Sequence, residues 1–373
     1  MKRDYTLDGF RGLFLIVMTI DHLGISLSNY TLHNLGFVTA AEGFIFLSGL
    51  VAGLVFSSIK SKQDEAAMWQ LASKRVAKIY LAHVSALALI ILLAAHSDTL
   101  LQRWKATIPY FADSPIIAAP VQAFLLGLAL LYQPAYLDIL PLYCVFILLT
   151  PKLISWFVDG KTVRVFAVSI ALWLAAQLGT LKLLVSALRT LLPIDLGFFD
   201  IFAWQLLFVA GVYAGVYRYS GTKFSIPRSY LIVTLFVATA LCLLRHGVFG
   251  WSTLQTIEFL TAKDKLGFLR LLNFAALTLL VVSFYRQISK IISQGWLVSL
   301  GQHSLQVYTY QVIMVFIMGA FAEEIRNLPS DARLITTLAC VLSLFIPAWL
   351  HKKYRELSDR LSVIDTSLQT TRP

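Results

Sequence analysis

The sequence predicts an all-α, polytopic integral membrane protein of about ten transmembrane helices around a central pore. Two observations predict this class. Of its 373 residues, 58% are hydrophobic and only 14% are charged, whereas soluble domains are about 25% charged; the mean hydropathy is +0.74. Apolar runs of about 17 to 20 residues recur along the chain, which is enough to cross a bilayer core of about 30 Å. We expect one membrane domain over residues 1–355 and a cytoplasmic tail over 356–373.

Ten apolar runs have the length of a membrane span. They cover residues 10–28, 38–58, 77–95, 139–157, 164–181, 200–217, 229–245, 267–285, 297–318 and 334–350. A further run, 116–133, contains Pro120 and lies between Pro115 and Pro134, and proline interrupts helical hydrogen bonding. We expect this run to be a re-entrant or interfacial element rather than a complete crossing.

The basic residues support this count, because short cytoplasmic loops carry an excess of Lys and Arg. Such residues cluster after the second and last spans, and these clusters share one side only if 116–133 does not cross. Both termini are then cytoplasmic. The net charge of +11 thus reflects membrane topology, and we expect no nucleic-acid partner. Cys144, Cys242 and Cys340 lack metal or redox spacing, so we expect no metal site and no tightly bound cofactor.

The first span contains charged residues that need an explanation. Arg11, Asp21 and His22 lie in it, and Asp8 lies in the polar run that leads into it. Such side chains cost several kcal/mol in a membrane unless they face protein or water, so they indicate function. Asp21 and His22 are neighbours that point about 100° apart on a helix, which makes a direct pair between them poor. A carboxylate from another helix is an equally good partner for His22, and we assign Asp8 a structural role.

Glu42, in the second span, lies at a depth comparable to that of His22. The small residues Gly43, Ser48, Gly49 and Gly53 allow this span to pack closely against the first. We therefore predict that His22 is a buried general base and that Glu42 orients it or balances its charge. A histidine that only packs between helices is the alternative.

Further polar residues lie at the two ends of other spans. Lys74, Arg75 and Lys78 lie at the cytoplasmic start of the third span, where they mark topology or bind a polyphosphate. Asp138 precedes the fourth span and could bind a hydroxylated acceptor. Tyr143 lies with Asp138 at the outer entrance of the fourth span. The remaining candidates are buried polar groups that could form interhelical hydrogen bonds: Trp204, Gln205, His303, Tyr308 and Gln311.

Together these motifs resemble the OpgC family, within the wider acyltransferase 3 group of membrane acyltransferases. The resemblance rests on Arg3, Leu7-Asp8-Gly9-Phe10-Arg11-Gly12, His22, Ala41-Glu42-Gly43-Phe44-Ile45-Phe46-Leu47-Ser48-Gly49, Arg75 to Tyr80, Leu137-Asp138-Ile139-Leu140-Pro141-Leu142-Tyr143, Ala203-Trp204-Gln205 and Leu300-Gly301-Gln302-His303-Ser304-Leu305. It implies a multi-pass protein of the bacterial inner membrane, surrounded by lipid. It also implies transfer of an acyl group, typically succinyl, from cytoplasmic acyl-CoA to an extracytoplasmic glucan.

The resemblance also assigns roles to individual residues. It implies that His22 is catalytic and that Arg11 takes the role of the family's preceding arginine. The basic pair associated with the donor reads Arg75-x-x-Lys78 here, and lysine lacks the bidentate geometry of arginine. His303, near the cytoplasmic side, is expected to meet the donor succinyl-CoA, which is a co-substrate rather than a bound cofactor.

The mechanism that we expect is direct transfer. Arg75, Lys78 and Arg11, with Lys74 beside them, hold the phosphates of acyl-CoA, and His22 deprotonates a sugar hydroxyl that enters past Asp138. Trp204, Gln205 or Tyr308 then stabilises the oxyanion. The competing class is a transporter or permease for a small polar or anionic solute, because polar residues at mid-membrane also serve such sites.

Overall fold

The computed structural model describes residues 3–222, 227–248, 250 and 255–370. This part of the chain is helical and contains no strand; a single isolated bridge pairs Tyr132 with Asp195. The all-α class is therefore confirmed. The helices of the described residues are α1 (Tyr5–Leu23), α2 (Ser28–Thr31), α3 (Ala40–Lys60), α4 (Glu65–His96), α5 (Asp98–Thr107), α6 (Pro115–Ala118), α7 (Pro120–Leu128), α8 (Ile139–Val158), α9 (Thr162–Gln177), α10 (Thr180–Arg189), α11 (Ile201–Tyr219), α12 (Arg228–Arg245), α13 (Gln255–Thr261), α14 (Phe268–Ser283), α15 (Tyr285–Ile292), α16 (Gly295–Gln302), α17 (Ser304–Gly319), α18 (Ala322–Arg326), α19 (Ser330–Ser343) and α20 (Phe345–Thr370).

Five helices of the described chain are long and apolar enough to cross a membrane, and two bent pairs bring this number to seven. The five are α3, α4, α8, α11 and the continuous stretch Ser330–Leu361. The bent pairs are α9 with α10, at 60°, and α14 with α15, at 88°. The expected count of about ten spans is thus not confirmed.

The other three expected spans coincide with helices that miss this standard for identifiable reasons. Helix α1 has 19 residues but carries Asp8, Arg11 and Asp21. The helices Ser229–Arg245 and Ser304–Gly319 are apolar but shorter. Helix α1 runs from Tyr5 to Leu23 rather than over the predicted 10–28, so His22 lies in its last turn.

The segment 116–133 does not form a spanning helix. It contains the end of α6, which has 4 residues, and α7, which has 9. At 1.5 Å per residue, α7 is about 14 Å long, less than half the thickness of a bilayer core. Proline begins both helices, as predicted from its effect on helical hydrogen bonds. The segment therefore makes no complete helical crossing.

Glycines bring α3 and α11 into close contact. A Cβ atom on Gly49 would lie 2.2 Å from the Phe208 carbonyl oxygen, and one on Gly211 would lie 2.2 Å from that of Phe46. The small residues of α3 were expected to pack against α1. That expectation holds for Gly43, which faces the ring of Phe14, but Gly49 and Gly53 contact α11 instead.

Helix α1 packs through its own glycines. A Cβ atom on Gly9 would lie 2.0 Å from the carbonyl oxygen of Ile292. A Cβ atom on Gly12 would lie 2.0 Å from the carbonyl oxygen of Leu297. This close contact with α15 and α16 fixes the first half of α1. The other end of α1 presents Asp21 and His22 to an internal cavity.

Candidate active site

A cavity of about 890 Å³ lies at the end of α1, and we call it the chamber. Its lining comes from the ends of several helices and the connections between them. The lining residues that matter here are Asp21, His22, Tyr136, Asp138, Phe198, Phe199, Lys263 and Tyr308. Titratable groups and aromatic rings thus converge in one space, which is the usual composition of a ligand site.

His22 is held by two contacts. Its Nδ1 lies 3.2 Å from Nε2 of Gln311 on α17, and its ring packs on that of Tyr136, with centroids 4.4 Å apart. Tyr136 has a positive φ of 67°, which costs about 1–3 kcal/mol for a residue other than glycine. The surrounding structure therefore holds Tyr136 in a strained conformation against the histidine ring.

Asp21 and His22 do not pair with each other in the described hydrogen bonds. Asp21 accepts a hydrogen bond of 2.5 Å from the hydroxyl of Thr31, whereas His22 contacts Gln311. The two side chains nevertheless line the same chamber. The structure thus agrees with the expected divergence of neighbouring helical residues.

The predicted pairing of His22 with Glu42 is wrong. Glu42 forms an ion pair of 2.6 Å with Arg270 through Oε1. Its other oxygen accepts hydrogen bonds from the backbone N–H and the hydroxyl of Thr39, at 2.9 and 2.7 Å. Both carboxylate oxygens are therefore occupied, because Glu42 closes a capping box at the start of α3.

Asp138 reaches the chamber as predicted, just before α8. Its Oδ2 accepts a hydrogen bond of 3.0 Å from the backbone N–H of Phe198. Gly197 permits this approach: it has a φ of 77°, and a Cβ there would lie 2.4 Å from Cβ of Asp138. Burial raises the pKa of the Asp138 carboxyl to about 6, so this group changes charge near neutral pH.

Lys263 is a chamber residue that sequence reasoning missed. It lies between α13 and α14, and its ammonium forms no ion pair with the described residues, although Asp138 and Asp21 act on it electrostatically. The rings of Phe198 and Phe199 lie 5.9 Å from its Nζ. Burial lowers the pKa of the ammonium. Lys263 precedes an apolar run, so its sequence position indicated only a membrane boundary.

A second, smaller cavity of about 270 Å³ contains three of the predicted donor-binding residues, and we call it the basic pocket. Arg11, Arg75 and Lys78 all line it. Arg11 donates a hydrogen bond of 3.2 Å to Ser48, and Ser48 donates one of 3.2 Å to Tyr143. The predicted grouping of these three cations is therefore found, with Tyr143 beside them.

The other two predicted donor residues lie elsewhere. Lys74 is exposed and does not line the basic pocket. The Nδ1 atom of His303 lies 2.8 Å from that of His351, and His303 lines neither cavity. Lys74 shares a helix face with Lys78 but lies one turn nearer the start of α4, beyond the residues that line the pocket.

Tyr308 and Ile139 line both cavities. Tyr308 is 3% exposed, and its hydroxyl donates a hydrogen bond to the Tyr136 carbonyl oxygen. The partition between the chamber and the basic pocket is thus about one side chain thick. Groups held in the two cavities would be separated by the side chains of Tyr308 and Ile139.

Two of the predicted oxyanion donors are used elsewhere. The indole N–H of Trp204 donates to the carbonyl oxygens of Lys263 and Asp264, at 3.1 and 2.9 Å. The amide of Gln205 bonds to Ser169 on α9. Neither residue lines either cavity, so the prediction that they stabilise an oxyanion is wrong. They have the interhelical role that was the alternative.

Asp8, expected to be structural, pairs with Arg3. Its carboxylate accepts hydrogen bonds of 2.6 and 3.2 Å from the guanidinium of Arg3. Arg270, by contrast, was missed, although an arginine inside an apolar run is the same kind of signal that identified His22. Gln311 was recognised as a buried polar group, but its contact with His22 was not predicted.

The fold and the two cavities define a helical membrane protein whose polar interior is divided at Tyr308. Comparison with protein families then gives a particular assignment. The family described as OpgC protein matches residues 3–356, essentially the whole chain, and the protein belongs to this family. No curated protein and no solved structure matches the chain. Family membership, with the apolar helices, indicates a membrane acyltransferase that acts on periplasmic glucans.

Proposed function

We propose that this protein transfers a succinyl group from cytoplasmic acyl-CoA to a hydroxyl of an extracytoplasmic glucan, with His22 as general base. The observation that carries the proposal is the shared lining of the two cavities by Tyr308 and Ile139. One cavity is basic and the other contains the histidine. This arrangement suits a reaction whose two substrates approach from opposite sides of the membrane.

The basic pocket suits the acyl-CoA donor. Arg11, Arg75 and Lys78 offer charge-assisted hydrogen bonds to phosphate oxygens. A cavity of about 270 Å³ admits only part of coenzyme A, so the pantetheine arm enters while the nucleotide stays at the mouth. Lys78 is exposed and can reach phosphates there. The thioester is then directed towards Tyr308.

The chamber suits the glucan acceptor. Asp138 and Asp21 can accept hydrogen bonds from sugar hydroxyl groups, and Phe198, Phe199 and Tyr136 offer flat apolar faces. Ligand sites combine such surfaces with a small number of directing polar groups. The chamber therefore faces the outer side of the membrane in this proposal, and both chain termini are cytoplasmic.

The chemistry is a direct acyl transfer. The acceptor hydroxyl loses its proton to Nε2 of His22, and its oxygen attacks the thioester carbonyl carbon. The new O–C bond forms, the C–S bond breaks, and the proton on His22 passes to the leaving thiolate. Lys263, whose ammonium forms no ion pair with the described residues, lines the chamber and can stabilise the oxyanion. Tyr308 can do so only if its hydroxyl leaves the carbonyl oxygen of Tyr136, to which it donates in this structure.

Residues 1–355 form the single catalytic domain of the proposed inner-membrane enzyme, and 356–373 form its cytoplasmic tail. The partners are lipid, acyl-CoA on the inner side and the glucan outside. Helix α20 begins within the membrane stretch and continues to Thr370. The tail is thus an extension of the last helix.

The test measures succinyl transfer to periplasmic glucan by purified protein in liposomes, with mass spectrometry of the glucan. Because a general base contributes about 10²–10⁴-fold, His22→Ala should reduce transfer by at least about 100-fold. His96→Ala, at an exposed histidine of α4, is the matched control and should leave transfer unchanged. Full activity of a correctly inserted His22→Ala protein would show the mechanism to be wrong.

Binding of coenzyme A separates this enzyme from a transporter. Succinyl-CoA should raise the thermal unfolding temperature of the purified protein at micromolar concentrations, because a ligand that binds the folded state stabilises it. Absence of this effect, together with uptake of a small anion into liposomes, would favour the permease. Comparison with acetyl-CoA tests the succinyl assignment.

A further inference from the structure

The side chain of Gln311 is fully buried, with 0% of the residue exposed. Its contact among the described hydrogen bonds is the one between its amide and Nδ1 of His22, at 3.2 Å. The second amide atom, Oε1 as placed, has no partner in the described structure. Buried amide groups are normally fully hydrogen-bonded, so this residue is retained for something other than packing.

The two ring nitrogens of His22 differ in their hydrogen bonding. Nδ1 faces Gln311, whereas Nε2 makes no hydrogen bond with the described residues, and the side chain lines the chamber. A neutral imidazole has one N–H and one lone pair, and the partner of one nitrogen determines which nitrogen carries the proton. A general base at Nε2 therefore requires the proton on Nδ1.

We infer that Gln311 is a positioning residue, whose amide oxygen accepts a hydrogen bond from Nδ1–H of His22 and keeps the lone pair on Nε2. A half-turn of the amide exchanges its nitrogen and oxygen within the same space. With the nitrogen towards Nδ1, the proton lies on Nε2 and the ring is no base there. With the oxygen towards Nδ1, Nε2 can accept a proton. This inference rests on the proposed function and specifies its base.

The nearby carboxylates are already engaged, which leaves this role to a neutral group. Glu42 bonds to Arg270 and Thr39, and Asp21 bonds to Thr31. Asp138, in the same chamber, accepts a hydrogen bond from the backbone N–H of Phe198. The charged group that acts on His22 there is the ammonium of Lys263. In the reaction, the acceptor hydroxyl transfers its proton to Nε2, and that proton leaves with the thiolate. Gln311 exchanges no proton; its oxygen keeps the bond to Nδ1–H while the ring is charged.

The experiment compares Gln311→Met with Gln311→Glu in the full-length protein. Methionine fills a similar volume without an acceptor, so kcat should fall about 100-fold, with KM for both substrates within about 2-fold. Glutamate keeps the acceptor and adds a charge that favours the protonated ring. This variant should keep measurable activity, and the acid limb of its kcat–pH profile should move up by about one unit or more.

A second readout needs no substrate. Diethyl pyrocarbonate reacts with the neutral imidazole, so the rate of His22 modification against pH, followed by peptide mass spectrometry, reports its protonation. Gln311→Glu should move this profile to higher pH as well. A purely structural role would change the unfolding temperature of the two variants without moving either profile.

The outcomes separate this inference from the proposed function. Wild-type kcat in Gln311→Met, or unmoved profiles in Gln311→Glu, would overturn the role of Gln311 while inactivity of His22→Ala still supported the enzyme. Full activity of His22→Ala would overturn the proposed mechanism instead. The modification profile alone would then decide whether Gln311 controls the protonation of His22.

Discussion

The carboxylate of Glu42 and the guanidinium of Arg270 lie 2.6 Å apart, and their side chains are 0% and 4% exposed. Thr39 binds the remaining carboxylate oxygen. This pair connects the start of α3 to α14, and Arg270 also bonds to the carbonyl oxygen of Thr261. Glu42 is thus a structural residue beside the chamber rather than a partner of the histidine.

Glu42→Gln should destabilise the protein, because it leaves the buried Arg270 without its counter-charge. Breaking one side of a buried ion pair costs about 3–5 kcal/mol, which thermal unfolding in detergent can measure. The double variant Glu42→Gln/Arg270→Met should recover part of this loss, since neither charge remains buried alone. A stable Glu42→Gln protein with a specific loss of turnover would instead make Glu42 a participant in the chemistry.

The sequence predicted some of this site because a charged side chain in an apolar run is conspicuous. His22 and Arg11 were recognised in this way, and Asp138 by its position at the entrance of a span; the structure places each at a cavity. Helix spacing also correctly separated Asp21 from His22. These inferences need only the position of a residue along its own helix.

Pairings between helices could not be predicted in the same way. Glu42 and His22 have comparable depths, but depth does not determine which side of a helix faces which neighbour. The prediction for Trp204 was wrong for a related reason. Its hydrogen-bond acceptors are the backbone carbonyl oxygens of Lys263 and Asp264, and a sequence motif does not show which backbone groups lie near a side chain. Lys263 was missed because its role depends on how a connection folds over the chamber.

The basic pocket predicts different effects for adjacent cations of α4. Arg75→Gln and Lys78→Gln should each weaken coenzyme A binding about 10-fold or more, because a hydrogen bond to a charged group contributes about 1.5–3 kcal/mol. Lys74→Gln is the matched control: its side chain is exposed and outside the pocket, so binding should change less than about 2-fold. Isothermal titration in detergent measures all three. Equal effects at the three positions would indicate general surface attraction rather than a built site.

Asp138 predicts a pH-dependent component of stability. Burial raises its pKa in the folded protein from 3.8 to about 6, so the folded state binds more protons than the unfolded state between these values. The contribution of this group to stability is therefore lost as pH rises from about 4 to 6. Asp138→Asn keeps an acceptor for the Phe198 N–H and should lack this loss. Thermal unfolding of both proteins across pH 4–7 measures the difference, and parallel curves would contradict the prediction.

The glycine contact between α3 and α11 predicts a strong effect of a single methyl group. A Cβ on Gly211 would lie 2.2 Å from the Phe46 carbonyl oxygen. This oxygen belongs to the backbone of α3, so it cannot move aside as the end of a flexible side chain can. Gly211→Ala should therefore destabilise the protein by about 1–3 kcal/mol, measured by thermal unfolding in detergent.

Gly295 is the matched control for this substitution. It begins α16, and a Cβ there would meet no atom within 4 Å. Gly295→Ala should thus be neutral or stabilise by up to about 1 kcal/mol, because alanine restricts the unfolded chain more than glycine. If the two variants unfold at the same temperature, then α3 and α11 can separate without cost. Their close contact would then contribute nothing to the stability of the fold.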